Sequence, residues 1–324
     1  MIAFLLRRLI YALAVLAGVN LVVFTLFFAV NTPEDMARLQ LGKRVTPESI
    51  QRWKAERGYD RPLVFNNAAP GLGKITDTVF FQTSARLVRF DFGQTNEGRD
   101  IAEELRQRLV PSMAVAVPVF ILTVGLSILF SLVLAMFRGT KLDTAGVVLL
   151  VAMMSISSLF FIIMGQYTFS KVLRLAPLSG YVPPPEMLKY VLLPIAVLVV
   201  ARLGPDARLY RAIYLEELGK DYVRTARSKG LGEFTVLFRH VLRNSLIPII
   251  TASASLLPVV FVGAIVTETF FAIPGLGAFT IEGITQQDFG IVRAMVFFGS
   301  ALYVLAYLLT DVLYAAADPR VRLH

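Results

Sequence analysis

The chain contains no cysteine in 324 residues. That excludes a disulfide framework, a thiol nucleophile and a Cys-ligated metal site. Histidine is almost as scarce, with only His240 and His324. Two scattered imidazoles make neither a metal site nor a proton relay. Charge is thin as well. Asp, Glu, Lys and Arg make up 17% of the chain, against about 25% in soluble domains. No nucleophile, base and acid can be grouped, so the chain is not expected to be an enzyme, and no cofactor of its own is expected. What it has in excess is apolar residues, at 56%, the composition of an integral membrane protein. The net charge of +9 fits the bias of Lys and Arg toward the cytoplasmic loops of such proteins better than nucleic-acid binding.

A bilayer core of about 30 Å needs roughly 20 apolar residues in a helix. Runs of this kind predict spans over 9–30, 109–137, 144–170, 244–267 and 294–317. A further span over 187–204 has a shorter uncharged centre, Tyr190 to Ala201, with Lys189 and Arg202 placed to snorkel at its ends. The first run is too long for a signal-peptide core of about 7–15 residues. The expected fold is therefore an all-α polytopic membrane protein with six transmembrane helices. Placing both termini in the cytoplasm puts 15 Lys and Arg inside and four in the short outer loops. Segment 31–108 then lies outside. It carries 13 basic and 11 acidic residues, and its length frees it from the charge rule.

That outer segment reads as a small, mostly helical subdomain. Thr46 precedes Pro47 as an N-cap precedes a first helical residue. Ile101, Leu105 and Leu109 recur at helical spacing, which predicts a surface helix leading into the second span. Residues 205–243 form a basic loop on the opposite side. Its helical halves, one containing Tyr222, Thr225, Ala226 and Lys229, the other Phe234, Leu237, Phe238, Val241 and Leu242, are separated by Gly230-Leu231-Gly232. Two short helices around a glycine bend make either a knob for a soluble partner or an amphipathic element lying on anionic lipid. Pro274, Gly275 and Gly277 predict a tight turn after the fifth span. Glu268 and Asp311 fall at span ends, and no ionisable residue is expected near a span centre, which argues against ion-coupled transport. Ser155, Ser158 and Ser253 either line a pathway or serve as helix–helix contacts. Gly71-Leu-Gly-Lys-Ile-Thr76 lacks the first glycine and the final Ser/Thr of a phosphate loop.

The stretch Asp221-Tyr-Val-Arg-Thr-Ala-Arg-Ser-Lys-Gly-Leu231 resembles the "EAA" loop of bacterial ABC-importer permeases in its dipeptide/oligopeptide form. Glu268-Thr-Phe-Phe-Ala-Ile-Pro-Gly-Leu-Gly277, Gly58-Tyr-Asp-Arg-Pro-Leu63 and Asp311-Val-Leu-Tyr-Ala-Ala-Ala-Asp-Pro-Arg320 are similar to further elements of that family, in the same order. The loop departs from the broader signature in having Arg243 after Leu242 instead of a Leu-Pro pair. The resemblance implies a type I ABC importer permease fold with a periplasmic insertion, in the bacterial inner membrane. It implies a second homologous permease subunit, two ABC ATPase subunits that carry the ATP and Mg, and an extracytoplasmic solute-binding protein. It also implies that Asp221, Tyr222, Arg224, Thr225, Ala226, Lys229, Gly230, Leu231, Phe234, Phe238 and His240 meet the ATPases, and that peptides cross by alternating access. The alternatives are a carrier or channel without an ATPase, a relative moving nickel chelates, glutathione or other small solutes, and a non-transporting scaffold.

Overall fold

The computed structural model describes residues 2–42, 45–254 and 265–317. They divide into two compact units. One comprises Met1–Val110 and Leu276–Val304, the other Pro111–Gly275 and Leu305–His324.

The first unit opens with α1 (Ile2–Phe24), which widens into a last turn over Thr25–Val30. A capping box between Thr32 and Asp35 starts α2 (Pro33–Leu41). Thr46 caps α3 (Pro47–Arg57), its side chain accepting from the Ser49 amide, as the sequence predicts. Met36, Ala37, Ile50 and Trp53 form a small core. A second one joins Phe24 and Phe28 to Val79 at the start of α4 (Val79–Val88). The helix expected on the membrane surface is not separate. It forms the opening turns of α5 (Ile101–Met136), an unbroken 36-residue helix. Ile101 and Leu105 are buried against Phe279 and Ile291, from α12 (Leu276–Thr285) and α13 (Phe289–Ala317). A charged clamp fixes this junction. Arg99 donates to Glu282 at 2.6 Å, and Arg108 reaches both Glu104 and Glu282 at 2.9 Å.

In the second unit the span expected over 144–170 is not one straight helix. α6 (Lys141–Ser155) and α7 (Ser158–Gly165), which continues through Val172, meet at 92°. Ile156 is extended, Ser157 caps α7 by accepting from the Leu159 amide, and Ser155 donates to its own helix at Val151. Short hydroxyl side chains that bond the local backbone in this way favour a helix end over continuation. α8 (Met187–Leu218) runs 32 residues without a break, so the helix that contains the span expected over 187–204 continues to Leu218. α9 (Asp221–Ser228) and α10 (233–254) follow, then α11 (Ile265–Phe270).

Among the described residues, four helices are long and apolar enough to cross a membrane, or five if the bent α6–α7 pair counts as one span. The sixth expected span, 244–267, falls partly outside the described residues. Asp143, near the start of α6, ties this bundle at its base. It accepts from Arg211 of α8 at 2.9 and 2.8 Å and from the Gly139 amide at 3.0 Å. Arg211→Met strands a nearly buried carboxylate, at a cost of about 3–5 kcal/mol. The detergent-solubilised variant should melt several degrees lower, and Asp143→Asn added to it should recover most of the loss. A double variant no more stable than Arg211→Met contradicts the assignment.

Candidate coupling foot and internal cavity

The segment between α8 and α10 is a folded foot rather than a loop. Its core contains Tyr210, Tyr214 and Leu218 of α8, Val223 and Ala226 of α9, and Val236, Leu237, Val241 and Ile249 of α10. Leu132 and Ala135 of α5 belong to the same core, so three long elements are packed into it. Two polar clasps hold its corners. Glu217, the last turn of α8, accepts from the Tyr222 hydroxyl at 2.7 Å and from the Lys220 ammonium. Burial and that bond push the Tyr222 hydroxyl up to about 12, so it stays a donor at physiological pH. The Glu217 contact likewise raises Lys220. Across the bend, Arg227 makes two bonds to Glu233, at 2.7 and 3.0 Å, the bidentate form that fixes geometry. Between them Gly230 has φ +78°, which a side chain disfavours and proline cannot adopt.

The residues that recur at helical spacing in the two halves only partly coincide with the buried faces. Ala226 is buried, but its partner is Val223; Thr225 and Lys229 are exposed and Tyr222 is half-buried. Leu237 and Val241 turn inward with Val236, whereas Phe234 and Phe238 turn outward and stack on each other at 4.3 Å between ring centres. α10 widens over Val236–Val241, which shifts the register of its inner face. Leu231, Asp221 and Arg224 are exposed as well, and His240 is half-buried. The foot therefore leaves an aromatic pair, a leucine and several charged side chains open to solvent.

The three serines separate. Ser158 lines a cavity of about 580 Å³ within the second unit. Ser155 is exposed and is not part of that wall. Ser253 is buried and donates to Ile249, so the Tyr210 hydroxyl donates to it at 2.6 Å; it is a helix–helix contact. The cavity lies among α5, the α6–α7 bend, α8 and α11, with mainly apolar walls. At one edge sits Glu268, 3% exposed, accepting from Ser112 at 2.6 Å. The turn after α11 folds back over it, with the Ile273 amide donating to the Glu268 carbonyl at 2.8 Å. A Cβ on Gly275 would lie 2.4 Å from the carboxylate. Pro274 and Gly275 thus form the expected turn, and Gly277 enters the first turn of α12. The first unit holds a smaller, more polar cleft of about 440 Å³, flanked by Trp53, Arg86, Asp91 and Arg293.

Arg202, expected at the end of a span, and Asp206, expected at the start of the loop over 205–243, both lie in the middle of α8, and Arg202 lines the cavity. Two charged residues therefore sit near the centre of a helix that is long and apolar enough to cross a membrane. The signal was present in Leu203, Ala207, Tyr210, Tyr214 and Leu218, an inward stripe at helical spacing that carries the helix through the charges.

Long apolar helices, a rigid polar foot and an internal cavity define an all-α polytopic membrane protein with room for a solute. The chain belongs to the family described as binding-protein-dependent transport system inner membrane component, which matches residues 127–323. The N-terminal element of such membrane components matches residues 1–83. A putative peptide transport system permease protein of Brucella abortus (strain 2308) is 32% identical over 327 residues, covering 99% of each chain. The dipeptide transport system permease protein of Bacillus subtilis (strain 168) is 30% identical over 285 residues, covering 87% of each. A probable peptide ABC transporter permease protein of Sinorhizobium fredii is 30% identical over 325 residues, covering 98% of this chain and 99% of its own.

Gly275→Ala forces a methyl against the Glu268 carboxylate, at a cost of about 1–3 kcal/mol. It should lower the melting temperature of the purified protein. In a Glu268→Ala background, where the carboxylate is gone, the same change should cost less than half as much. Equal costs in both backgrounds would show that the turn does not enclose Glu268.

Proposed function

We propose that this chain is the pathway-forming permease subunit of an ATP-driven peptide importer. It pairs with a second permease subunit, takes cargo from a solute-binding protein outside, and is driven by two ABC ATPase subunits bound to the foot. In this reading the foot and both termini are cytoplasmic and 31–108 is a periplasmic subdomain. Peptides are the cargo because the relatives are named as peptide permeases. The observation that carries the reading is the fused core of the foot. A partner that grips Phe234, Phe238 and Leu231 cannot move them without moving Val223, Ala226, Tyr210 and Tyr214. Displacement would reach α5, α8 and α10 with little loss, because packed interiors are stiff. Closure of the ATPases would then bias the helices between two access states, as a state-dependent contact must.

A second reading has one observation behind it. The Arg202–Asp206 pair within α8 is the kind of central charge that secondary carriers use. Flux through the purified chain alone in liposomes, without ATP, separates the two.

The coupling assignment makes three variants informative. Gly230→Pro cannot adopt the bend. Ala226→Glu places a carboxylate in the foot core. Phe234→Asp alters only the exposed patch. All three should insert in the membrane, and all three should lose ATP-dependent peptide uptake, the last with loss of ATPase co-purification. Uptake at the unmodified rate by Phe234→Asp, with the ATPases still bound, contradicts docking at the aromatic pair.

A further inference from the structure

We propose that Arg202 is the anchor for a carboxylate of the cargo, the free C-terminus of a peptide, inside the cavity of the second unit. The inference rests on the reading of the chain as a peptide permease and deepens it.

Arg202 projects from the middle of α8, and among the described residues it is the one cation lining the cavity. The neighbouring walls are Val119, Met153, Leu198 and Pro205. A guanidinium against such walls is costly to leave without a counter-charge. Its ionic neighbour is Asp206, one turn on, at 3.7 Å, too far for a hydrogen bond. Asp206 is buried, and its Oδ2 makes no hydrogen bond among the described residues. The pair is held in partial compensation: Asp206 balances the charge, while the forked N–H donors are not consumed by it.

A guanidinium fork matches a carboxylate with two parallel bonds, and it stays charged at any physiological pH. The cavity's other ionisable wall residue among those described does not offer the reciprocal contact. Glu268 is held by Ser112 and closed in by Gly275. Among the described residues, the cavity therefore has a single unsaturated charged anchor, and it is positive. Its volume of about 580 Å³ lies inside the range of about 300–1,000 Å³ typical of small-molecule sites. Asp206 also supplies a way out. It can reclaim the guanidinium as the carboxylate leaves, which keeps binding weak enough for passage, a general requirement of conducting sites.

The test uses the full transporter, assembled with its partner subunits in proteoliposomes. The probes are the photoreactive dipeptide glycyl-p-benzoylphenylalanine and its C-terminal amide. Adducts within 112–124, 153–162 and 198–205 are mapped after illumination. The acid should label these segments about tenfold more than the amide. Arg202→Gln should erase that preference, and Arg202→Lys, which keeps the charge but not the fork, should retain part of it. Melting temperature and co-purification of the partners report that the variants are folded. Absence of adducts in these segments, equal labelling by acid and amide, or an unchanged preference in Arg202→Gln overturns the anchor. The same vesicles measure ATP-dependent uptake of a radiolabelled dipeptide. Uptake without any dependence of labelling on Arg202 sinks the anchor alone. No uptake by the unmodified complex sinks the peptide reading beneath it.

Discussion

The burial of Val223 and Ala226 against Tyr210 and Tyr214 is the contact on which the second unit's organisation depends. Without it, residues 219–232 would be a tether between two helices. With it, they become an extension of α8 and α10, and α5 joins through Leu132 and Ala135. Small and β-branched residues allow the close approach of α9, and the tyrosine rings fill the depth beneath. Glu217 and the Arg227–Glu233 pair then fix the angles at the two corners, where apolar contacts alone would leave rotation free. The exposed aromatic pair gains a defined orientation only because the residues behind it are rigid.

The same economy governs the polar groups in the rest of the chain. Asp143, Glu268 and Glu282 each occupy a helix junction, and each is met by a partner that fixes direction: Arg211, Ser112, and the Arg99–Arg108 pair. Buried charge is expensive unless paired and hydrogen-bonded. A membrane-spanning bundle gains little from hydrophobic association between helices in lipid, so such junctions supply geometry that apolar surfaces do not. Arg202 and Asp206 depart from this pattern. Their contact is long and incomplete, and it faces the one large cavity described in that unit.

Much of the architecture could be read from residue order alone. Uncharged runs located the long helices, Thr46-Pro47 marked a helix start, and Gly230-Leu231-Gly232 marked the bend in the foot. Four motifs in sequence pointed to the family that the comparison with relatives establishes. What escaped had physical causes. Hydropathy averaged over a span does not register the 92° break in α6–α7, because Ser155, Ser157 and Ser158 are uncharged and flanked by long apolar runs, and the turn is made by Ser157 bonding the local backbone. It also does not show that α8 continues to Leu218, because Arg202, Asp206 and Arg208 outweigh a buried stripe of only one residue in three or four. Phe234 and Phe238 share one helical stripe with Leu237 and Val241 in the sequence, but burial divides that stripe: Leu237 and Val241 face the core and the aromatic pair is exposed. The fit of Gly275 around Glu268 is a tertiary contact with no local signature beyond the turn itself.

The absence of native cysteine allows spin labels to be placed cleanly. The central claim is that the foot and the end of α8 move as one body. It is tested by labels at Arg224 on the foot and Leu209 on α8, both exposed, in the assembled transporter. Pulsed dipolar spectroscopy should give the same distance distribution with and without a non-hydrolysable ATP analogue, while a pair from Arg224 to an ATPase subunit changes. A nucleotide-dependent shift between Arg224 and Leu209 would mean that the foot swings on its own, contradicting the account.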